Sequence, residues 1–143
     1  MKLHMLIKTT AGTAVIFLCL TAFKQTNEWK APVEADKLIN PFTGNAVATA
    51  KGKTLYITYC TVCHGTTGKG DGPVGGGLTP KPANHSSQKV QSQTDGTIFW
   101  KLTNGRAPMA AYKDILKEEQ RWQLVNYIRE LGKTTTSSTV KKN

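Results

Sequence analysis

Two thiols and an imidazole lie within five consecutive residues near the middle of the chain. Cys60 and Cys63 are separated by two residues, and His64 follows directly. This CxxCH spacing is typical of c-type haem attachment, because each thiol can add to one vinyl group of the porphyrin. The adjacent imidazole can then bind the iron as its proximal ligand. The pattern therefore predicts one covalently bound haem c per chain, held by Cys60 and Cys63, with His64 on the iron.

Two other interpretations of paired cysteines fit the sequence less well. A thioredoxin-type redox pair needs a strand–helix–strand setting, which the neighbouring sequence does not provide. A closed zinc site needs four ligands, and no second CxxC or spaced histidine pair follows. The one further cysteine, Cys19, lies in an apolar N-terminal segment and has no place in a site built on Cys60 and Cys63.

The N-terminal 22 residues have the pattern of an export signal. Two lysines precede an apolar run from Ala11 to Phe23, which is short for a membrane-spanning helix but typical of a signal peptide. Cleavage after Ala22 and retention as an uncleaved anchor both fit this pattern. Lipidation of Cys19 is disfavoured, because a small residue does not precede it. We therefore expect a periplasmic protein, with tethering to the inner membrane as the alternative.

Composition divides the chain into four segments. Residues 1–22 are the signal peptide or anchor, and 23–45 form an extended leader or tether without hydrophobic periodicity. Residues 46–132 form the haem domain. Residues 133–143 are rich in Ser, Thr and Lys and are predicted to be a disordered tail.

Hydrophobic periodicity predicts three main helices between residues 46 and 132. They span Val47 to Cys60, Asp95 to Asn104 and Lys117 to Leu131, with Gly132 ending the last. Gly52 lies inside the first helix, where glycine costs about 1 kcal/mol relative to alanine. Its presence there predicts a close contact with another helix.

Further sequence motifs surround the haem-attachment residues. Gly65 extends CxxCH, GKGDGP occupies 68–73, NGRAPM occupies 104–109, and RWQLVNYIR occupies 121–129. Together they resemble a class I monohaem cytochrome c of the bacterial, exported, membrane-associated type. The resemblance implies a small all-α fold, in which crossed N- and C-terminal helices and long glycine- and proline-rich loops surround one covalent haem.

The same resemblance assigns roles to two residues beside the haem iron. Met109 is implied to be the second axial ligand, which gives the His/Met pair typical of cytochromes c. A proline carbonyl in the loop after CxxCH is implied to accept the Nδ1–H of His64. Pro82 is the first candidate for this proline, ahead of two earlier prolines in the same loop.

Three more residues are expected to contact the haem. Leu78 would pack on the porphyrin, and Arg106 would pack against it or bond to it. The indole N–H of Trp100 could bond to a propionate, although a core position for Trp100 fits the sequence equally well. His85, by contrast, lies in the polar stretch 84–94 and is interpreted as a solvated surface residue.

The chain is strongly basic, with 19 Lys and Arg against 9 Asp and Glu and a formal net charge of +10. In an exported haem protein, this excess favours an acidic redox partner or an anionic membrane surface. A solvated basic surface without a partner is the alternative. No basic stripe interleaved with aromatic residues is present, so we do not expect nucleic-acid binding.

Two protein ligands on the iron favour electron transfer over substrate chemistry, because neither axial position stays open. We therefore expect an electron-transfer protein of a respiratory chain, not an enzyme. It would act as a carrier or as the monohaem subunit of a membrane oxidoreductase complex. A peroxidase-like haem enzyme is the alternative, and it requires a labile bond between Met109 and the iron.

Overall fold

The computed structural model describes residues 28–140, with side chains described as far as Lys133. The predicted signal segment, including Cys19, and the start of the leader lie outside the described residues. The helices in chain order are α1 (Ala46–Tyr59), α2 (Thr61–His64), α3 (Gln88–Gln91), α4 (Asp95–Asn104) and α5 (Glu118–Val140), with 3-10 turns at Val33–Lys37 and Gly75–Gly77. The described part of the chain forms no β-strand, which agrees with the predicted all-α class.

Helices α1 and α5 pack against each other and form the centre of the core. Tyr56 on α1 and Leu124 on α5 are fully buried there. Gly52 makes the close approach possible, because a Cβ at this position would collide with the backbone carbonyl of Gln123. The predicted close contact at Gly52 is therefore confirmed, and the partner helix is α5.

We expect Gly52→Ala to lower the free energy of unfolding by about 1–3 kcal/mol, the usual cost of overpacking. Alanine is more favourable than glycine in a helix by about 1 kcal/mol, so helix propensity alone would predict that this substitution raises the free energy of unfolding. Chemical denaturation monitored by circular dichroism measures the change. Gly76→Ala is the matched control, because a Cβ there meets no atom within 4 Å. Equal stability of the two variants would contradict the close approach.

The leader is packed on the domain from Glu28, the first described residue, onwards. Asp36 accepts hydrogen bonds from the hydroxyls of Thr94 (2.7 Å) and Thr97 (2.8 Å) at the start of α4. Asn40 donates its side-chain amide to Asn126 on α5 at 2.7 Å. These bonds fix the leader to both helices.

Helix α5 differs from the prediction at its C-terminal end. The helix continues through Gly132 to Val140, so the expected termination at Gly132 is wrong. Gly132 lacks the positive φ with which a glycine ends a helix, and it packs against the side chain of Gln91. Although α5 has 23 residues, none of the helices in the described range is long and apolar enough to cross a membrane.

Candidate functional site

A cavity of about 1000 Å³ lies between α2, α4 and the loops that follow them. It gathers almost all of the residues that the sequence predicts for haem binding. The predicted residues that line it are Cys60, Cys63, His64, Leu78, Pro82, Arg106 and Met109. Trp100 is the predicted residue that is not part of this lining.

The junction of α1 and α2 presents the two thiols. Cys60 ends α1 by donating its amide to the Tyr56 carbonyl at 2.9 Å, and its own carbonyl accepts from the amide of His64 at 2.8 Å. The CxxCH segment therefore forms one helical turn. Because residues three apart share a helix face, Cys60 and Cys63 lie on the same side of this turn. Both cysteines are free thiols.

The environment of Cys60 does not suit a redox-active thiol. Its burial, with a smaller contribution from Cys63, raises the pKa of Cys60 to about 12. Reactive cysteines of the thioredoxin type have a lowered pKa instead, because the thiolate is the attacking form. The buried thiol fits a covalent attachment point and argues against disulfide exchange.

The ring of His64 is held by the backbone of the following loop. Its Nδ1 lies 3.0 Å from the carbonyl oxygen of Ala83, so the predicted role of Pro82 is wrong by one residue. A carbonyl partner requires a proton on Nδ1, which leaves Nε2 as the nitrogen free to bind a metal. Burial lowers the pKa of His64, although its bond to Ala83 opposes the shift, and this favours the neutral imidazole that metals bind.

The glycine-rich loop packs on α2. The amides of Gly72 and Val74 donate to the carbonyls of Cys63 (3.2 Å) and Val62 (3.1 Å). A Cβ on Gly72 would lie 2.5 Å from the carbonyl oxygen of Thr61. Glycine is therefore needed where the loop crosses the haem-attachment turn itself.

A tight turn after α4 positions Met109. Arg106 and Met109 exchange two backbone hydrogen bonds of 3.0 and 2.9 Å, which close the turn. The amide of Tyr112 donates to the carbonyl of Leu102 at 3.0 Å and returns the chain to α4. Met109 is half-buried and packs against the core, so its thioether has a defined place in the cavity.

These residues fit a haem c. The cavity volume lies at the upper end of the range of about 300–1,000 Å³ for ligand sites, and close-packed interiors do not keep empty spaces of this size. Two free thiols, one imidazole and one thioether line the same space. Within the described residues, no cluster of three or more His, Cys, Asp or Glu side chains could hold an iron ion by itself. The porphyrin nitrogens would have to supply the remaining ligands.

Comparison with known proteins agrees with this chemistry. The family model for cytochrome c matches residues 49–132, which is more than half of the chain. The chain belongs to the cytochrome c family. Membership carries the all-α cytochrome c fold with a covalently bound haem c, as the motifs around Cys60 predict, and it indicates a role in electron transfer.

Two of the proteins that this chain resembles are named as components of larger assemblies. The cbb3-type cytochrome c oxidase subunit CcoP of Azospirillum sp. (strain B510) is 30% identical over 95 residues, 66% of this chain and 32% of the relative. The reducing HAO-like protein complex Kustc0457/Kustc0458 of Kuenenia stuttgartiensis has a chain of similar structure, with a TM-score of 0.55 and 25% identity. That match covers 61% of this chain and 44% of the other. The cytochrome thus spans about a third of the curated relative that it matches.

Trp29 is a cavity residue that the sequence did not identify. It comes from the leader, outside the part of the chain matched by the family model, and its ring lines the cavity. The Lys101 Nζ lies 5.6 Å from the ring centroid, and the guanidinium carbon of Arg106 lies at 5.2 Å. A cation over an indole face is attracted by its quadrupole, so these contacts hold the leader at the edge of the cavity.

His85 is a second residue whose place the sequence did not show. The predicted solvated position is wrong, because His85 is only 9% exposed. Its ring stacks on that of His64 with the centroids 4.0 Å apart, and its Nδ1 lies 3.0 Å from the hydroxyl of Tyr56. Burial and the nearby His64 hold the pKa of His85 well below its usual value, so the ring is neutral.

The charged side chains that line the cavity are predominantly cationic. Among the described residues that line the cavity, Glu28 is the one with a carboxylate side chain. Against this one anion stand the cationic side chains Lys30, Lys81, Lys89, Lys101 and Arg106. Burial lowers the pKa of Lys101, as do the cations Lys89 and Arg106. The basic excess of the whole chain is therefore present at the site itself.

Proposed function

We propose that this cytochrome transfers single electrons in a respiratory chain, through one haem c with His64 and Met109 as axial ligands. It acts in the periplasm, as a carrier or as the monohaem subunit of a membrane oxidoreductase complex. The observation that carries the proposal is the single cavity shared by the two thiols, the His64 imidazole and the Met109 thioether.

Each residue contributes one part of this function. When bound, haem c supplies an iron couple that gains and loses one electron. Cys60 and Cys63 hold the group covalently, and the Ala83 carbonyl fixes the tautomer of His64. The soft thioether of Met109 favours the reduced metal and so raises the reduction potential. With both axial positions taken by protein atoms, no substrate site remains at the metal.

The relatives and the N-terminal sequence support the proposed setting. The CcoP relative is named as a subunit of an oxidase, and the Kuenenia protein is named as part of a complex. Both names favour a role within or beside a redox assembly. The signal-like residues 1–22 support export, and the described part of the leader is packed on the haem domain.

The proposal is tested on the full chain expressed with a haem-maturation system. We expect one haem per polypeptide from the pyridine haemochrome assay, and a low-spin ferric spectrum with a weak far-red sulfur-to-iron band. Carbon monoxide should bind the reduced protein poorly, because Met109 occupies the position that it needs. A high-spin spectrum with ready carbon monoxide binding would overturn the His/Met electron-carrier proposal.

We expect reduction by an anionic reagent, such as ferrocyanide, to slow as ionic strength rises. The cationic cavity lining attracts the anion, and salt screens this attraction beyond about 8 Å at physiological ionic strength. Stopped-flow rates measure the effect. A cationic reagent, hexaammineruthenium(II), should show the opposite trend.

Charge reversal locates the basic surface. Lys81 lines the cavity, whereas Lys51 on α1 does not. Lys81→Glu should therefore weaken the salt dependence of the rate of reduction by ferrocyanide more than Lys51→Glu does. Equal effects of the two substitutions would show that net charge acts without a docking surface. Rates independent of salt would contradict an acidic partner for this site.

A further inference from the structure

His85 is a buried polar residue to which electron transfer as described above gives no role. The backbone holds it on both sides, because its amide donates to the Gly68 carbonyl at 2.6 Å and its carbonyl accepts from Gln91 Nε2 at 2.6 Å. Its ring lies nearly parallel to that of His64, with an interplanar angle of 20° and the centroids 4.0 Å apart. The two histidines therefore form a close, flat contact.

The hydrogen bond to Ala83 does not fix His64 completely. One bond to Nδ1 selects the tautomer and the direction of that nitrogen, but the imidazole can still swing about the bond axis. A flat ring at van der Waals distance removes this freedom, because any tilt of His64 pushes it into His85. Ala83 and His85 are separated by one residue, so one loop segment supplies both restraints.

Tyr56 restrains His85 in turn. The tyrosine hydroxyl lies 3.0 Å from His85 Nδ1, and the two rings meet edge to face at 5.7 Å. Tyr56 is fully buried and makes a second edge contact, at 5.1 Å, with Tyr127 on α5. The stack on His64 is thus anchored in the α1–α5 core, the most constrained part of the fold.

We propose that His85 is a positioning residue that fixes the plane of the His64 ring at the haem iron, and that Tyr56 holds His85 in place. This inference rests on the proposed ligation of iron by His64. The angle of an axial imidazole decides which iron orbitals it overlaps and where unpaired spin appears on the porphyrin. A fixed angle keeps the ligand geometry the same in both oxidation states, as rapid electron transfer requires.

The test compares His85→Phe with His85→Leu in the holoprotein. Phenylalanine keeps a flat ring against His64, whereas leucine has similar bulk without a flat face. The readout is the pattern of the four haem methyl shifts in the ¹H NMR spectrum of the ferric protein, which depends on the angle of the axial imidazole. We expect His85→Phe to retain the wild-type order and spread of these shifts. His85→Leu should change both.

Tyr56→Phe tests the second part of the proposal, since it removes one hydroxyl and keeps the ring. We expect a change of methyl shifts smaller than that in His85→Leu. Denaturation midpoints of all three variants separate a loss of stability from a change in ligand angle. Wild-type shifts in His85→Leu, or the same altered shifts in the Phe and Leu variants, would overturn the positioning role.

The wild-type spectrum separates this inference from the function on which it rests. A strongly upfield methionine methyl signal and hyperfine-shifted imidazole protons are expected from Met109 and His64. Their absence would overturn the proposed ligand pair, and the role of His85 with it, whatever the variants show. Their presence, together with unchanged shifts in His85→Leu, would reject the role of His85 alone.

Discussion

Replacing both Cys60 and Cys63 with alanine should abolish covalent haem and leave a largely unfolded chain. The haem-stained band on a denaturing gel should disappear, and far-ultraviolet circular dichroism should lose most of its helical signal. The reason is the cavity of about 1000 Å³, which the two thiols line together. Without haem, the apolar side chains that line this open space stay in contact with water, and a domain is stable by only about 5–15 kcal/mol. The apo chain therefore cannot keep this shape.

Two controls separate attachment from packing. Val62→Ala changes a half-exposed residue between the cysteines and should keep both the haem stain and the fold. Cys63→Ala alone should retain some stain through the remaining thioether to Cys60. If wild-type haem extracts into acidified organic solvent, it is not covalently bound. That result would contradict the predicted attachment directly.

The parts of the fold that sequence predicts well are those set by local chemistry. Helix α4 runs from Asp95 to Asn104 as expected, because Thr94 accepts the amide of Thr97 at 3.0 Å and Gly105 ends the helix. Helix α1 agrees within one residue at each end. The contact at Gly52 was also predictable, since a glycine in a helix interior is costly without a close neighbour.

The errors at the site come from contacts between distant segments. His85 is flanked by Asn84 and Ser86, and this polar setting indicates a surface position. Its burial depends on Tyr56, 29 residues earlier, which no local pattern shows. Residue type likewise does not distinguish Trp29 from Trp100, and in the folded chain Trp29 lines the cavity whereas Trp100 does not.

The choice of Ala83 over Pro82 has a different cause. Both residues belong to one extended loop segment, in which successive carbonyls point in different directions. A shift of one residue in the chain path exchanges the carbonyl that reaches His64. Motif resemblance fixes the segment that binds the histidine but not this register, which only the packing of the loop determines.

Substituting Met109 should have the largest effect on reactivity, and it separates an electron carrier from a haem enzyme. In Met109→Ala we expect the far-red band to vanish, and the ferric protein to become high-spin or water-ligated. The reduction potential should fall, since axial ligands shift haem potentials over a range of about 0.8 V. Carbon monoxide binding and peroxidase activity should appear, because the substitution opens a coordination position. Haem should stay attached through Cys60 and Cys63.

Two further substitutions assign these changes to the sulfur atom. Met109→Leu keeps the apolar bulk that packs against the core, so it should match Met109→Ala in spectrum and reactivity while losing less stability. Met109→His supplies a nitrogen ligand and should restore a low-spin spectrum without the far-red band, at a lower potential than wild type. If wild type has the same peroxidase activity as Met109→Leu, then the thioether does not occupy a coordination position of the iron. The carrier function would then give way to the enzymatic alternative.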